Sequence, residues 1–315
     1  MRVGRRNAIR SFAGAALGGI LPPSPDAVTP GLCLSKEVPG FEPFCFTDEE
    51  GTRHQLYVAN GGGPPVILLH ELPGLVDPDL ATAKRLADLR FTVVAPLLFG
   101  EPGGEGHVLR HSIRVCGRDQ FACRHGDITS PHVGWLRQLS RAVRHQWPDG
   151  KGVGVIGMCL TGAFPIAMLR EPSVAAAVLC QPTIPFNLFT RFGWFTDKRA
   201  LGIHPDDLRY AKTESAVPLL GIRYTGDWRS RRPRFERLTE DFKERFYRLD
   251  IEGADHSSLG NAFCSEAFLE VHSFLNQFLR TSPDPRVGPF PRRAKSNSPD
   301  EVRIENCEPA HAQHR

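Results

Sequence analysis

The sequence predicts an α/β fold, a mostly parallel central sheet flanked by helices, and three observations carry that expectation. Apolar runs such as residues 66–70 (VILLH) and 152–157 (GVGVIG) are continuous, as in strands buried on both faces of a sheet. Such runs alternate with stretches of helical spacing, the order that a parallel sheet with crossover helices requires. The 315 residues are 41% hydrophobic and 23% charged, ordinary globular usage that excludes a fibrous or wholly disordered chain.

Charge and cysteine content exclude further classes. A formal charge of +4 is small against 39 basic and 35 acidic residues and forms no clustered footprint, so no nucleic-acid partner is expected. No apolar run reaches the length of a membrane span, so no stable membrane insertion is expected. Eight cysteines are too few for a disulfide scaffold. Nothing in the sequence speaks to oligomeric state.

The chain divides into a body and two loose ends. Residues 1–30 carry Arg2, Arg5, Arg6 and Arg10 before a small-residue apolar stretch, with no acid before Asp26, and read as a targeting-like or disordered segment. Arg5-Arg6 resembles a twin-arginine signal, although Ala8 stands where a bulky apolar residue usually follows. A cytoplasmic protein is the expectation and export the alternative. Residues 281–315, rich in Pro, Arg, Ser and Glu, read as a disordered tail. Residues 31–280 make one α/β domain.

Within that domain, 41–59 reads as two short strands around the turn at Glu50-Gly51. After the GGGPP break come a strand at 66–70, a helix at 79–89 and a strand at 91–96. Residues 99–131 are too polar for core and read as an excursion over the sheet. A helix at 133–147, a strand at 152–157, a helix at 159–171 and strands at 175–181 and 218–224 follow. A helix at 234–246, a strand at 246–253 and an amphipathic helix at 265–279 close the domain.

The chemistry centres on Gly157-Met158-Cys159-Leu160-Thr161-Gly162, where a buried strand meets a helix. Such an elbow pushes one side chain above the sheet, and Gly157 and Gly162 keep its neighbourhood small. At a helix N-terminus, backbone N–H groups favour a thiolate, which makes Cys159 the candidate nucleophile. The bland alternative is a buried cysteine in an ordinary strand–glycine–helix junction. An elbow nucleophile needs an acid and then a histidine later in the chain. Asp227 follows the strand at 218–224 and His256 follows the strand at 246–253, each at a strand end and in that order. Either alone is an ordinary loop residue; together they make Cys159–His256–Asp227 the expected triad. Early in the chain, His70-Glu71-Leu72-Pro73-Gly74 follows the strand at 66–70, from which a second oxyanion donor comes in such sites. The expected oxyanion hole is the backbone N–H groups of Leu72 and Leu160, and Glu71 is placed to approach Cys159.

VILLHELPGL, GMCLTG, Gly226-Asp227 and Asp255-His256 resemble the dienelactone hydrolase family of α/β-hydrolases, over roughly residues 35–280. The resemblance implies the α/β-hydrolase fold and a hydrolase of small-molecule lactones or other carboxylic esters, with neither metal nor cofactor. It also implies that Cys159 is the nucleophile and that Glu71 holds or deprotonates its resting thiol. Two departures stand out. The family elbow usually has Gly where this chain has Thr161, whose β-branched side chain is expected to crowd and open the turn. Family members acting on dienelactone carry an arginine shortly after the histidine, whereas here Ser257-Ser258-Leu259-Gly260 follows, which counts against dienelactone itself. The long 99–131 stretch and the 184–212 segment, in which an aromatic run is followed by a polar turn at 204–208, are expected at the pocket mouth, and their aromatic residues point to a more apolar substrate. The rival function is a non-catalytic protein of this fold that binds a small ligand.

Weaker signals complete the reading. Arg229, Arg231, Arg232 and Arg234 form a basic run expected to be a solvated loop. Cys116 and Cys123 could pair if the chain is exported, and Cys33, Cys45, Cys180, Cys264 and Cys307 carry no partnered motif. His107, His111, His125 and His132 lack metal-ligand spacing.

Overall fold

The computed structural model describes residues 28–33, 37–103, 129–184, 197–291, 301–304 and 307. Most of the N-terminal segment, most of 99–131, residues 185–196, and the residues Cys116, Cys123, His107, His111 and His125 lie outside them. The strands are β1 (Val28–Pro30), β2 (Glu42–Thr47), β3 (Arg53–Asn60), β4 (Pro65–Leu69) and β5 (Thr92–Pro96). They continue with β6 (Val153–Met158), β7 (Val174–Cys180), β8 (Leu219–Tyr224), β9 (Phe246–Ile251) and β10 (Glu301–Ile304). All join one sheet in the order β1-β2-β3-β5-β4-β6-β7-β8-β9-β10. The β1–β2, β2–β3 and β3–β5 pairs are antiparallel, and the rest are parallel.

The continuous apolar runs have a simple cause: both faces of the sheet are covered. In β4, Val66 and Leu68 point to one core and Ile67 and Leu69 to the other, the period-two alternation of a strand with no wet side. Helices α1 (Asp77–Asp88) and α6 (Ser265–Leu279) cover the first face through Leu80, Ala83, Leu86, Val271, Phe274 and Leu275. Helices α2 (His132–Gln146), α3 (Phe164–Met168) and α5 (Arg232–Phe242) cover the second through Leu136, Leu139, Val143, Ile166, Phe235 and Leu238. A further helix, α4 (Pro205–Thr213), lies beside α3.

The chain leaves β4 for β5 on one side and then crosses to β6 on the other. This reversal opens a crevice beyond the C-terminal ends of β4 and β6, where ligands bind in open α/β sheets. Leu69 pairs with Gly157, so Glu71 and Cys159 each stand two residues past the same rung.

Four expectations need correction. The helix expected over 159–171 is one 3₁₀ turn, Cys159–Thr161, and the short α3, because Pro165 has no N–H to give the carbonyl of Thr161. The polar turn expected at 204–208 starts helix α4, capped by His204, which accepts from the Asp206 N–H, with Asp206 and Asp207 in the first turn. Arg234 is not solvated: it is fully buried, and its guanidinium donates to the carbonyls of Ala200, Pro182 and Arg229. The tail expected to be disordered contributes β10, parallel to β9, and Cys307, which forms a disulfide with Cys264. None of the described helices is long and apolar enough to cross a membrane.

Candidate active site

Five neighbouring parallel strands deliver the site from their C-terminal ends: β4 leads to Glu71, β6 to Cys159, β7 to Gln181, β8 to Asp227 and β9 to His256. Cys159 is almost fully buried and has φ of +53°, a left-handed conformation that costs a non-glycine residue about 1–2 kcal/mol. Its carbonyl is held by the N–H groups of Gly162 (3.0 Å) and Thr183 (2.9 Å), which sustain the strained turn. Glycine is needed on both sides of it. A Cβ at Gly157 would stand 2.2 Å from the Thr161 carbonyl oxygen, and one at Gly162 would stand 2.6 Å from the Cα of Pro182.

Thr161 does not act as the sequence suggests. It is fully buried, and its Oγ1 accepts from the Met158 N–H (2.9 Å) while facing the carbonyls of Leu69 (3.0 Å) and Met158 (2.9 Å) as a donor. The β-branched side chain therefore ties the turn to the end of β4. Thr161→Val keeps the shape and removes the oxygen. It is expected to cost about 1–3 kcal/mol, read as a lower midpoint in urea denaturation, because buried partners lose their bond.

His256 Nδ1–H donates to Asp227 Oδ2 at 2.6 Å, and the Arg229 N–H donates to the other carboxylate oxygen at 2.9 Å. A ring nitrogen of His256, the Cys159 sulfur and a Glu71 carboxylate oxygen all lie within 4.8 Å of one another. Burial disfavours charge on His256. The charge on Cys159 and its hydrogen bond, together with those of Asp227, outweigh burial and raise the imidazole to about 10. Glu71 is buried as well; burial raises its pKa, opposed by His256, Ser257 and Gln181. Behind it, the fully buried Asp79 is held well above the usual carboxylate range, by burial first and the charge of Glu71 second. His70 is neutral: burial lowers it to about 4, Nδ1 faces the Glu71 carbonyl, and Nε2 accepts from the Leu98 N–H at 3.0 Å. Leu72 packs half-buried against the cluster that contains Cys159 and Leu160.

The loop carrying His256 is fastened by residues that sequence patterns did not single out. Ser257 donates to Glu71, and Ser258 donates through its hydroxyl to Gln181 Oε1 at 2.7 Å. Thr82 of α1 donates to the Leu259 carbonyl. Gly260 leaves room for this arrangement, since a Cβ there would stand 2.3 Å from Ser257 Oγ and 2.6 Å from Glu71 Oε1. The loop glycine after a predicted site histidine was the one available sequence signal.

Cys159, His256 and Glu71 could together ligate a soft divalent ion, since each offers an atom at suitable separation. Among the described residues the other such cluster, Cys264, Glu266 and Cys307, has both sulfurs committed to the disulfide.

No protein-family model matches the sequence, and no curated protein matches it. Solved structures do. An esterase of Pyrococcus furiosus aligns with a TM-score of 0.56 at 16% identity, covering 80% of this chain and 98% of that one. An acylaminoacyl peptidase of Pyrococcus horikoshii aligns at 0.51 and 14% identity, covering 79% of this chain and 43% of that one. A Klebsiella pneumoniae protein described as a dienelactone hydrolase aligns at 0.49 and 17% identity, over 66% of this chain and 84% of that one. With the sheet order above, the first two likenesses establish the α/β-hydrolase fold.

Proposed function

We propose that this α/β-hydrolase-fold chain is an esterase or lactonase that works through Cys159, His256 and Asp227 and a thioester acyl-enzyme. One observation carries the reading: the sulfur, imidazole and Glu71 carboxylate cluster within 4.8 Å at the switch-point crevice, with His256 oriented by Asp227 at 2.6 Å. The fold it shares with an esterase of Pyrococcus furiosus is consistent with that chemistry.

In the first half-reaction the Cys159 thiolate attacks the ester carbonyl carbon, and the carbonyl electron pair moves to oxygen. The Leu72 and Leu160 N–H groups hold that oxyanion, a contribution typically worth about 10²–10³ in turnover for one donor. As the tetrahedral centre collapses, the C–O bond breaks and protonated His256 gives its proton to the leaving alkoxide. In the second half-reaction neutral His256 takes a proton from water, the hydroxide attacks the thioester carbonyl, and the acid leaves as the Cys159 thiolate returns. Asp227 stabilises the imidazolium throughout. Glu71, held by Ser257, lies near the resting sulfur and holds it in place until His256 takes the thiol proton.

The substrate of this reading is a small-molecule ester or lactone. The Cys264–Cys307 disulfide favours an oxidising compartment, and with it the export alternative over a cytoplasmic location.

Acid-quenching the protein during turnover of a short-chain p-nitrophenyl ester tests the proposal. Peptide mass spectrometry is expected to find the acyl group on Cys159. Turnover with no acyl-Cys159, or no turnover of any aryl ester or lactone, would refute it.

A further inference from the structure

The two edge strands of the sheet are built alike. β10 ends at Ile304, and three residues later Cys307 is bridged to Cys264 at the start of α6. β1 ends at Pro30, and three residues later stands Cys33, half-buried and reduced. Its N–H donates to Gln55 Oε1 at 2.8 Å, and Gln55 is the cross-strand partner of Cys45 in the β2–β3 ladder. The Gln55 amide is itself fixed by the carbonyls of Phe44 (2.9 Å) and Leu56 (3.0 Å). The preceding Gly31 N–H donates to the Pro43 carbonyl at 2.7 Å. These bonds bring the Cys33 side chain into contact with that of Cys45. Arg53 completes the cluster, its Nε donating to Cys45 Sγ at 3.3 Å.

We propose that Cys33 and Cys45 form a second disulfide, which fastens the three-residue edge strand β1 as Cys264–Cys307 fastens β10. Short edge strands have few ladder bonds and fray, so a covalent tie has most to add there. The two sulfurs divide the chemistry. Cys33 is the accessible one, and it attacks a low-molecular-weight disulfide such as oxidised glutathione, forming a mixed disulfide and releasing one glutathione thiolate. Cys45 is buried, with the Arg53 Nε–H pointing at its sulfur, and it attacks the Cys33 sulfur, forming the protein disulfide and releasing the second. Two protein thiols are oxidised, one glutathione disulfide is reduced, and the two thiol protons pass to the released thiolates. The first step is the slow one. Burial, followed by the neighbouring Cys45, pushes the Cys33 thiol up to about 12, so its thiolate is scarce when it attacks the first glutathione disulfide. None of this touches Cys159, and Cys180 is fully buried with its thiol pushed up by burial.

The test uses the full-length protein treated with oxidised glutathione, alkylated with iodoacetamide and digested without reduction. A peptide pair linked through Cys33 and Cys45 is expected, with a melting temperature roughly 5 °C higher than the untreated protein. Cys33→Ser is expected to lose that rise. Cys45→Ser is expected to accumulate glutathione on Cys33, since the resolving sulfur is gone, and Arg53→Gln to slow closure several-fold. All three variants are expected to keep wild-type esterase turnover, which separates this proposal from the reading of the active site. Alkylation of both Cys33 and Cys45 in the oxidised sample, or a linkage of Cys33 to another cysteine, would overturn it.

Discussion

Cys159→Ala is expected to abolish aryl-ester turnover, a fall of about 10⁴-fold or more in kcat, while the protein stays folded. The size follows from what the sulfur does: it is the atom that forms the bond to carbon, and none of its neighbours replaces it. Glu71 is a poor substitute, because Ser257 already occupies its carboxylate and burial favours its neutral form. The fold is expected to survive because alanine keeps the Cβ at φ +53° and changes nothing in the bonds from Gly162 and Thr183 to the residue-159 carbonyl. Removing one buried sulfur leaves a cavity worth about 1 kcal/mol, so the melting temperature moves by a few degrees at most. Cys159→Ser is expected to fold equally well and to turn over slowly, because a hydroxyl beside Glu71 and His256 is far harder to ionise than a thiol. Wild-type rates in Cys159→Ala would remove the nucleophile from the scheme and with it the thioester.

The legible part of this molecule is the part with local signals. Apolar runs marked β4 through β8 because a strand buried on both faces has few polar alternate residues, whereas β9 (FYRLDI) buries Arg248 and Asp250 as an ion pair. Cys159, Asp227 and His256 were legible because each comes shortly after the end of a predicted strand, and chain order then suggested which belong together. What stayed hidden depends on contacts between distant segments. Ser257 reaches Glu71 across 186 residues and Thr82 reaches Leu259 across 177, and neither pairing leaves a trace in spacing. Thr161 was read as bulk, whereas its hydroxyl matters more than its volume. Arg234 looked like one more cation in a basic run, yet three carbonyls of the folded chain gather around it. β10 is a four-residue strand, EVRI, inside a polar stretch. An isolated segment of that composition has no reason to order until β9 offers an open edge and Cys264 a partner.

Asp227→Asn is expected to lower kcat by about 10³–10⁴-fold with KM close to wild type. The carboxylate accepts from His256 Nδ1 at 2.6 Å, which leaves Nε2 free to take a proton from thiol or water and stabilises the imidazolium that results. An asparagine amide can donate toward Nδ1, which favours the tautomer with the proton on Nε2, where it blocks the base. The substitution also removes two of the influences that lift His256 to about 10, its hydrogen bond to Asp227 and the carboxylate charge, leaving burial opposed by Cys159 alone. The histidine of the variant therefore loses its proton at lower pH. The stability consequence has a definite sign. A folded-state value raised above the ordinary 6.5 contributes stability that is fully present below pH 6.5 and is lost as pH rises through about 10. The gap in melting temperature between wild type and variant is thus expected to be largest near pH 6 and to close toward pH 10. Calorimetry across that range, alongside pH–rate profiles, measures both effects. A gap that stays constant with pH would show that Asp227 supports the loop without supporting the charge on His256. A kcat within tenfold of wild type would leave the carboxylate no place in the chemistry.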